Sequence, residues 1–275
     1  MSDLRLRARS VTEIVDAAFQ LYRRDALEYV LVTAIAYAPW VVAQLLLMRG
    51  LLATSSRTLT APGAASFVLG FIGIFGYALM SAVLSRFSSD VYLDRQTGLS
   101  AVVRAVLPLV PRLIGATILF FLVLMLGFLP VIVGAGISSI PLIFIGMLLS
   151  LFWAFYAMAR FFAVFQTIVL ENRGVVAAFS RSSFLSQNRK GHILLTLLLV
   201  LVIFIMLSFA VSLVAQMFGT IAGSVILQAL YTVLAYPLIG ITQMILYYDT
   251  RIRAEGFDIE VMTGALGSPP TTAAS

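Results

Sequence analysis

The sequence predicts an all-α integral membrane protein with six transmembrane helices arranged as three hairpins, each preceded by an amphipathic helix at the cytoplasmic interface. Three observations carry that expectation. Of 275 residues, 61% are hydrophobic and 11% charged, whereas soluble domains average about 45–50% apolar and about 25% charged residues. The apolar residues gather into runs of membrane-spanning length, and the basic residues fall mostly at the ends of those runs. Such a composition argues against a soluble enzyme, a nucleic-acid-binding module or a disulfide scaffold. The chain has no cysteine, which excludes disulfides and thiolate metal sites.

Crossing roughly 30 Å of hydrocarbon takes about 20 apolar residues in a helix. Six runs qualify: Leu27–Met48, Phe67–Phe87, Leu113–Val133, Ile140–Leu170, Ile193–Phe218 and Ile221–Tyr247. They lack the alternation of barrel strands, and in lipid each backbone amide needs a partner within its own segment, so helices are expected. The fourth run exceeds a perpendicular crossing and is expected to tilt or to project into the cytoplasm.

Orientation follows from the basic residues, seventeen Arg and Lys190. With the N-terminus inside, the inner segments hold Arg5, Arg7, Arg9, Arg23, Arg24, Arg86, Arg95, Arg104, Arg112, Arg173, Arg181, Arg189, Lys190, Arg251 and Arg253. The outer ones hold only Arg49 and Arg57, in or near the Ala53–Ala65 loop. Positive charge favours the cytoplasmic side, so a multi-pass protein of the inner membrane with both termini cytoplasmic is expected. The charged first 25 residues do not read as a signal peptide. Residues 1–262 read as one membrane domain, and 263–275, small and polar around Pro269 and Pro270, as a disordered tail.

The inner segments contain a repeat. Val11, Ile14, Val15, Ala18, Phe19 and Tyr22 recur at helical spacing opposite Glu13, Asp16 and Gln20. Leu99, Val102, Val103, Val106, Leu107 and Val110 repeat the pattern opposite Ser100 and Arg104, and Arg24 aligns with Arg112. A third copy aligns Arg181 with Arg104 and Arg189 with Arg112, with Val176, Phe179 and Phe184 apolar but Ser180, Ser183 and Gln187 replacing aliphatics. The units run about 10–90, 98–170 and 175–250. Each short helix is expected to lie in the cytoplasmic interface with its apolar face down. Arg24, Arg104, Arg112, Arg181 and Arg189 are then the interfacial basic residues.

Arg160 stands within an apolar run, where a charge is either functional or snorkels to the interface. If buried, it needs a carboxylate, and Glu28, Asp90 and Asp249 at the inner span ends are the candidates. Pro39, Pro130 and Pro237 sit within or near span ends, where proline bends a helix. Gln44, Gln166, Gln216, Gln228 and Gln243 either line a cavity or bond between helices. Gly219-x-x-x-Gly223 reads as a tight turn between the last two spans. His192 flanks a span as an interfacial residue.

The most specific string is Tyr247-Tyr248-Asp249-Thr250-Arg251-Ile252-Arg253-Ala254-Glu255-Gly256-Phe257-Asp258-Ile259-Glu260. It continues the last helix, with i,i+4 pairs Asp249–Arg253 and Arg251–Glu255. Gly256 stands where a left-handed residue ends a helix, with Phe257 and Ile259 turned back toward the apolar surface. The string resembles the C-terminal signature of bacterial integral membrane proteins grouped with the glycerophosphoryl diester phosphodiesterase membrane domain. Arg160 with Glu171, Ala178 and Arg181-Ser182, and the Thr12-Glu13-Ile14 and Phe19-x-x-Tyr22-Arg23-Arg24 opening, are similar too. Ser183 departs from the aromatic usual there. The family name comes from enzymes in which such a region precedes a soluble catalytic barrel, and the proteins resembling this one are mostly of unknown function.

That barrel needs about 250 residues of alternating strand and helix, and no soluble segment here approaches it. The chain has one histidine and lacks phosphate-loop, nucleophile-elbow and zinc-helix motifs. The chain is therefore expected not to be an enzyme and to hold no cofactor or metal. The expected role is non-catalytic: organising or regulating at the cytoplasmic leaflet. Membrane lipids, including anionic ones, and a second copy or a membrane protein are its expected partners, with no nucleic acid. The alternative is a permease subunit or a small-molecule or lipid transporter, which requires a continuous polar cavity reaching the midplane. The candidate polar cluster is Arg160, Glu171, Glu28, Asp90, Asp249 and Arg251; a lipid enzyme would have to gather Glu28, Asp90 and Asp249 in one pocket.

Overall fold

A computed structural model of the chain describes residues 7–53, 61–93, 95, 98–217 and 221–256. Arg5, Arg57, most of the Ala53–Ala65 loop, Gly219, Phe257, Ile259 and the 263–275 tail lie outside the described residues, as does the side chain of Arg49. Among the described residues there are eleven α-helices and no strand.

Helix α1 (Val11–Arg24) begins at a reciprocal cap. The Glu13 amide donates to the Ser10 hydroxyl at 3.4 Å, and the Ser10 amide donates to the Glu13 carboxylate at 2.7 Å. Helices α2 (Ala26–Ala53) and α3 (Ala61–Tyr92) then pack along each other. Gly73 permits the contact, since a Cβ there would lie 3.1 Å from the Trp40 ring.

Helix α4 (Leu99–Val106) passes through a 3-10 turn (Leu107–Leu109) into α5 (Val110–Leu126). The expected third span, Leu113–Val133, is not one helix: Gly127 and Phe128 separate α5 from α6 (Leu129–Gly136). Pro130 in the first turn of α6 has no amide to donate. Side chains of α7 (Ile140–Arg160) satisfy the carbonyls at the break. The Trp153 indole donates to the Val123 carbonyl at 2.7 Å, and the Ser150 hydroxyl donates to the Gly127 carbonyl at 2.6 Å. α6 and α7 then meet backbone to backbone. A Cβ at Gly134 would lie 2.7 Å from the Ile143 amide, and one at Gly146 2.7 Å from the Val131 amide.

The fourth run was expected to continue as one long helix, but it breaks at Phe161–Ala163, giving α7 and α8 (Val164–Glu171). Ser182 of α9 (Val175–Leu185) bridges the break. Its hydroxyl accepts from the Ala163 amide and donates to the Arg160 carbonyl, both at 3.1 Å. Ser182, not one of the replacing residues Ser180, Ser183 and Gln187, is the serine that turns inward, with Ala178, Phe179 and Leu185. Of the apolar face expected for α9, Phe179 is buried while Val176 and Phe184 are exposed.

Helices α10 (Lys190–Met217) and α11 (Ile221–Glu255) pack along each other. At 35 residues α11 is about 52 Å long, enough to cross and overhang the hydrocarbon. It is the central element, touching α1, α2, α3 and α10. Pro237 inside it has no amide to donate, and the nearby Leu234 carbonyl accepts from the Tyr22 hydroxyl at 2.8 Å.

Among the described residues, five stretches are long and apolar enough to cross a bilayer: Ala26–Leu46, Leu99–Leu126, Ile140–Glu171, Lys190–Met217 and Gly223–Glu255. Much of the N-terminal half of α3, which holds the expected Phe67–Phe87 span, has side chains outside the described residues. The architecture is that of a multi-pass membrane protein.

Candidate functional site

The C-terminal part of α11 is the hub of a polar cluster that joins five other helices or their leaders. Tyr247 donates its hydroxyl to Glu171 on α8 at 2.6 Å, and the Tyr248 hydroxyl lies 2.7 Å from that of Ser89 on α3. Asp249 accepts from the Arg9 amide, just before α1, at 2.7 Å and from Arg253 at 2.9 Å, with His192 of α10 3.4 Å away. Arg253 in turn donates to the Arg9 carbonyl at 2.7 Å. Both expected i,i+4 pairs form, Arg251–Glu255 at 3.2 Å and Arg253–Asp249 at 2.9 Å. Gly256 adopts φ 65° and donates its amide to the Ile252 carbonyl at 2.9 Å, the left-handed end foreseen for it.

Glu171 is the centre of this charge network. Arg181 reaches both its oxygens at 3.0 Å, Arg173 approaches to 2.6 Å and Arg251 to 4.0 Å. Arg181 also clamps Glu255, with Nη2 on Oε2 at 2.8 Å and Nη1 on Oε1. The Glu255 hydrogen bond, with that to Glu171, raises the Arg181 pKa above its ordinary value against the opposing effect of burial.

Three of the other four predicted interfacial arginines also hold protein groups. Arg24 pairs with Asp25 at 2.9 Å and donates to the Val91 carbonyl at 3.1 Å. Arg112 donates to the carbonyl and side chain of Asn172, whose left-handed backbone ends α8, at 3.2 and 2.6 Å. Arg189 donates to the Arg253 carbonyl at 2.8 Å. Arg104 alone of the five is exposed with no hydrogen bond or ion pair among the described residues.

Arg160 ends α7, half-buried, hydrogen-bonded to the Tyr156 hydroxyl, with its guanidinium over the Tyr156 and Phe161 rings. Lys190 lies over the same Tyr156 ring, 5.7 Å from its centre. None of the three carboxylates offered as its counter-charge is paired with it. Glu28 is exposed, Asp90 stands 3.4 Å from Arg86, and Asp249 belongs to the hub. The predicted polar cluster is therefore brought together in part: Glu171, Asp249 and Arg251 share the hub, while Arg160, Asp90 and Glu28 stand apart from it.

The glutamines fall into two groups. Gln44, Gln216 and Gln228 line a groove of about 790 Å³ at the opposite ends of α2, α10 and α11. Gln166 and Gln243 bond to each other at 3.3 Å, Gln166 being fully buried. Sequence reading missed Ser10 and Trp153, which hold helix ends, and named Ser182 only within the resemblance, without its role at the α7–α8 break. Only Ser10, with Glu13 three residues on, carried a local signal. Comparison with known proteins finds no match, whether with family models, curated proteins or solved structures.

Proposed function

We propose that the chain is a non-catalytic bacterial inner-membrane protein that organises or regulates lipids and partner proteins at the cytoplasmic leaflet. In this reading it makes six crossings in three hairpins, α2–α3, α5/α6–α7/α8 and α10–α11, each led by a short interfacial helix, α1, α4 or α9. The hub marks the cytoplasmic end by its basic residues, and both termini lie on that side. The order of one short helix and two long stretches fits repeat units at about 10–90, 98–170 and 175–250. Kinship with the glycerophosphoryl diester phosphodiesterase membrane-domain proteins belongs to the same proposal and is supported by the C-terminal string and the partners its residues find.

One observation carries the interfacial placement. Each short helix buries one apolar strip within the protein and leaves a second beside it uncovered. On α1, Ile14, Ala18 and Leu21 are fully buried while Phe19 is 38% exposed. Val102 and Val106 are buried beside Val103 and Leu107, at 37% and 65%. Ala178 and Leu185 are buried beside Val176 and Phe184, at 76% and 48%. Uncovered apolar flanks next to membrane-spanning helices are what an interfacial helix offers to lipid. The carboxylates of the hub support a structural role, since Glu171, Asp249 and Glu255 each have cationic partners.

Because most of the interfacial arginines are engaged within the protein, the expected preference for anionic lipid is small. Arg104 contributes about 1 kcal/mol, roughly fivefold. In proteoliposomes, energy transfer from tryptophan to labelled anionic and zwitterionic lipids at varied salt measures this preference. A modest, salt-sensitive preference that Arg104→Gln removes supports the reading, and equal transfer to both lipids at low salt refutes it. The transporter alternative draws on the two broken helices and on the cavity that Phe161 and Phe162 line at the second break.

A further inference from the structure

Three cavities between the helices share walls in succession. The first is the 790 Å³ groove, whose polar lining is Gln44, Ser212, Gln216, Ser224 and Gln228. Tyr37 and Trp40 pass from its wall into that of a second cavity of about 320 Å³, which Thr232 and Tyr236 also line. Tyr77, Leu201 and Ile239 are shared in turn with a third, about 220 Å³, whose polar lining includes Ser81, Thr242 and Gln243. Its aromatic wall includes Phe161 and Phe162, the residues that interrupt the run from α7 to α8. Gln243 Oε1 accepts from Gln166 at 3.3 Å and from Ser81 at 3.4 Å. Behind it, Gln166 Oε1 is buried with no hydrogen-bond partner among the described residues, an acceptor left unfilled.

The chemistry of this lining is selective. Among the described residues, none that lines the three cavities is Asp, Glu, Lys, Arg or His, so a charged ligand in the second or third cavity would sit beside no described counter-charge. The serine and threonine hydroxyls Ser212, Thr232 and Thr242 already bond within their helices, but a purely hydrocarbon ligand would leave the buried Tyr236 hydroxyl of the second cavity, which has no hydrogen-bond partner among the described residues, unmatched. Aromatic and aliphatic walls with scattered amides and hydroxyls suit an apolar body carrying an uncharged hydroxyl. We propose that this string of cavities binds an uncharged, hydroxyl-bearing amphiphile of the long-chain alcohol class, entering from the groove. The inference rests on the membrane placement proposed above.

Gly76 borders the second cavity, and a Cβ there would meet nothing within 4 Å. A larger side chain at this position therefore grows into open space and is expected to narrow the middle of the string, although the same glycine also borders a gap beside Pro39 and Leu113. Trp40 lines the first and second cavities, and Trp153, the other tryptophan, lines none of the three. Quenching of Trp40 by a brominated ligand is thus a contact report. Full-length protein in detergent micelles is titrated with bromodecanol, bromodecanoate and bromodecane. Saturable quenching is expected for the alcohol alone, reaching at most about half the total emission. Gly76→Leu should abolish the saturable part and Gly76→Ala should keep it. Quenching by all three probes in proportion to their micellar concentration overturns the proposal without any variant, and saturation by the carboxylate overturns the uncharged class. Saturation unchanged in a folded Gly76→Leu protein overturns the placement. Failure of the membrane reading shows separately, as release of the protein from membranes by alkaline carbonate.

Discussion

Replacing Ser182 with alanine isolates the device that holds the α7–α8 break. The hydroxyl accepts from the Ala163 amide and donates to the Arg160 carbonyl at 3.1 Å each, and Ser182 is fully buried. Alanine fits the same space, so no cavity of consequence opens, but two main-chain groups lose their partner where water does not reach. Each stripped group costs about 1–3 kcal/mol, and the two together about 2–4 kcal/mol after allowing for partial relaxation. At 1.4 kcal/mol per tenfold, the local closed state loses about thirty- to a thousand-fold in its equilibrium. Hydrogen exchange at the Ala163 amide in detergent micelles reads this locally, and unfolding by rising sodium dodecyl sulfate reads it globally. Faster exchange at Ala163 with an earlier unfolding midpoint is expected. Unchanged protection with an unchanged midpoint would refute the reasoning, because it would mean the break is closed by something other than α9.

Three further outcomes follow from the same geometry. Glu171→Gln keeps an acceptor for Tyr247 but removes the charge shared by Arg173 and Arg181. It should destabilise the detergent-solubilised protein by about 2–3 kcal/mol, whereas Arg7→Gln, which removes the exposed Arg7–Glu13 pair, should leave the midpoint nearly unchanged, both measured by dodecyl sulfate unfolding. The Ser10 amide and hydroxyl, with Arg7 beside them, hold the Glu13 carboxyl down at about 2. A depressed folded value means the cap stabilises above the unfolded value near 4.5 and weakens as pH falls toward 2. The stability gap between the native protein and Glu13→Gln should therefore shrink from pH 6 downward through that window, and a gap independent of pH would contradict it. A Cβ at Gly240 would lie 2.9 Å from Leu84 Cβ. Gly240→Leu should thus cost about 1–3 kcal/mol by overpacking, and Leu84→Ala in the same chain should recover part of it.

The helical class was legible from the apolar runs, and so was the end of α11. Gly256 takes its left-handed turn and the pairs Asp249–Arg253 and Arg251–Glu255 form, because those depend on residues four apart or fewer. The two breaks were not foreseen. Phe161 and Phe162 are as apolar as their neighbours, and the serine that bridges the break is twenty residues away on another helix. Pro130 hinted at the first break, but Trp153 and Ser150, which satisfy its carbonyls, lie on α7. Charge placement showed which ends of the helices belong together. It did not show that Arg112 and Arg189 hold helix-end carbonyls, since main-chain acceptors are invisible to a residue-type pattern. The short helices were read by periodicity alone, which locates an apolar face but cannot say how much of it the protein covers.

The proposed topology puts the charged hub and the short helices on the cytoplasmic side and the α6–α7 turn on the other. The chain has no native cysteine, so single cysteines report cleanly. Gln20, Ser100 and Gln187 are exposed near the hub end, and Gly136 is exposed at the far turn with open space around its Cβ. In intact inner-membrane spheroplasts, an impermeant maleimide should label Gly136→Cys at once, and should label Gln20→Cys, Ser100→Cys and Gln187→Cys only after permeabilisation. Labelling of any of those three from outside, or protection of Gly136→Cys until permeabilisation, would contradict the account.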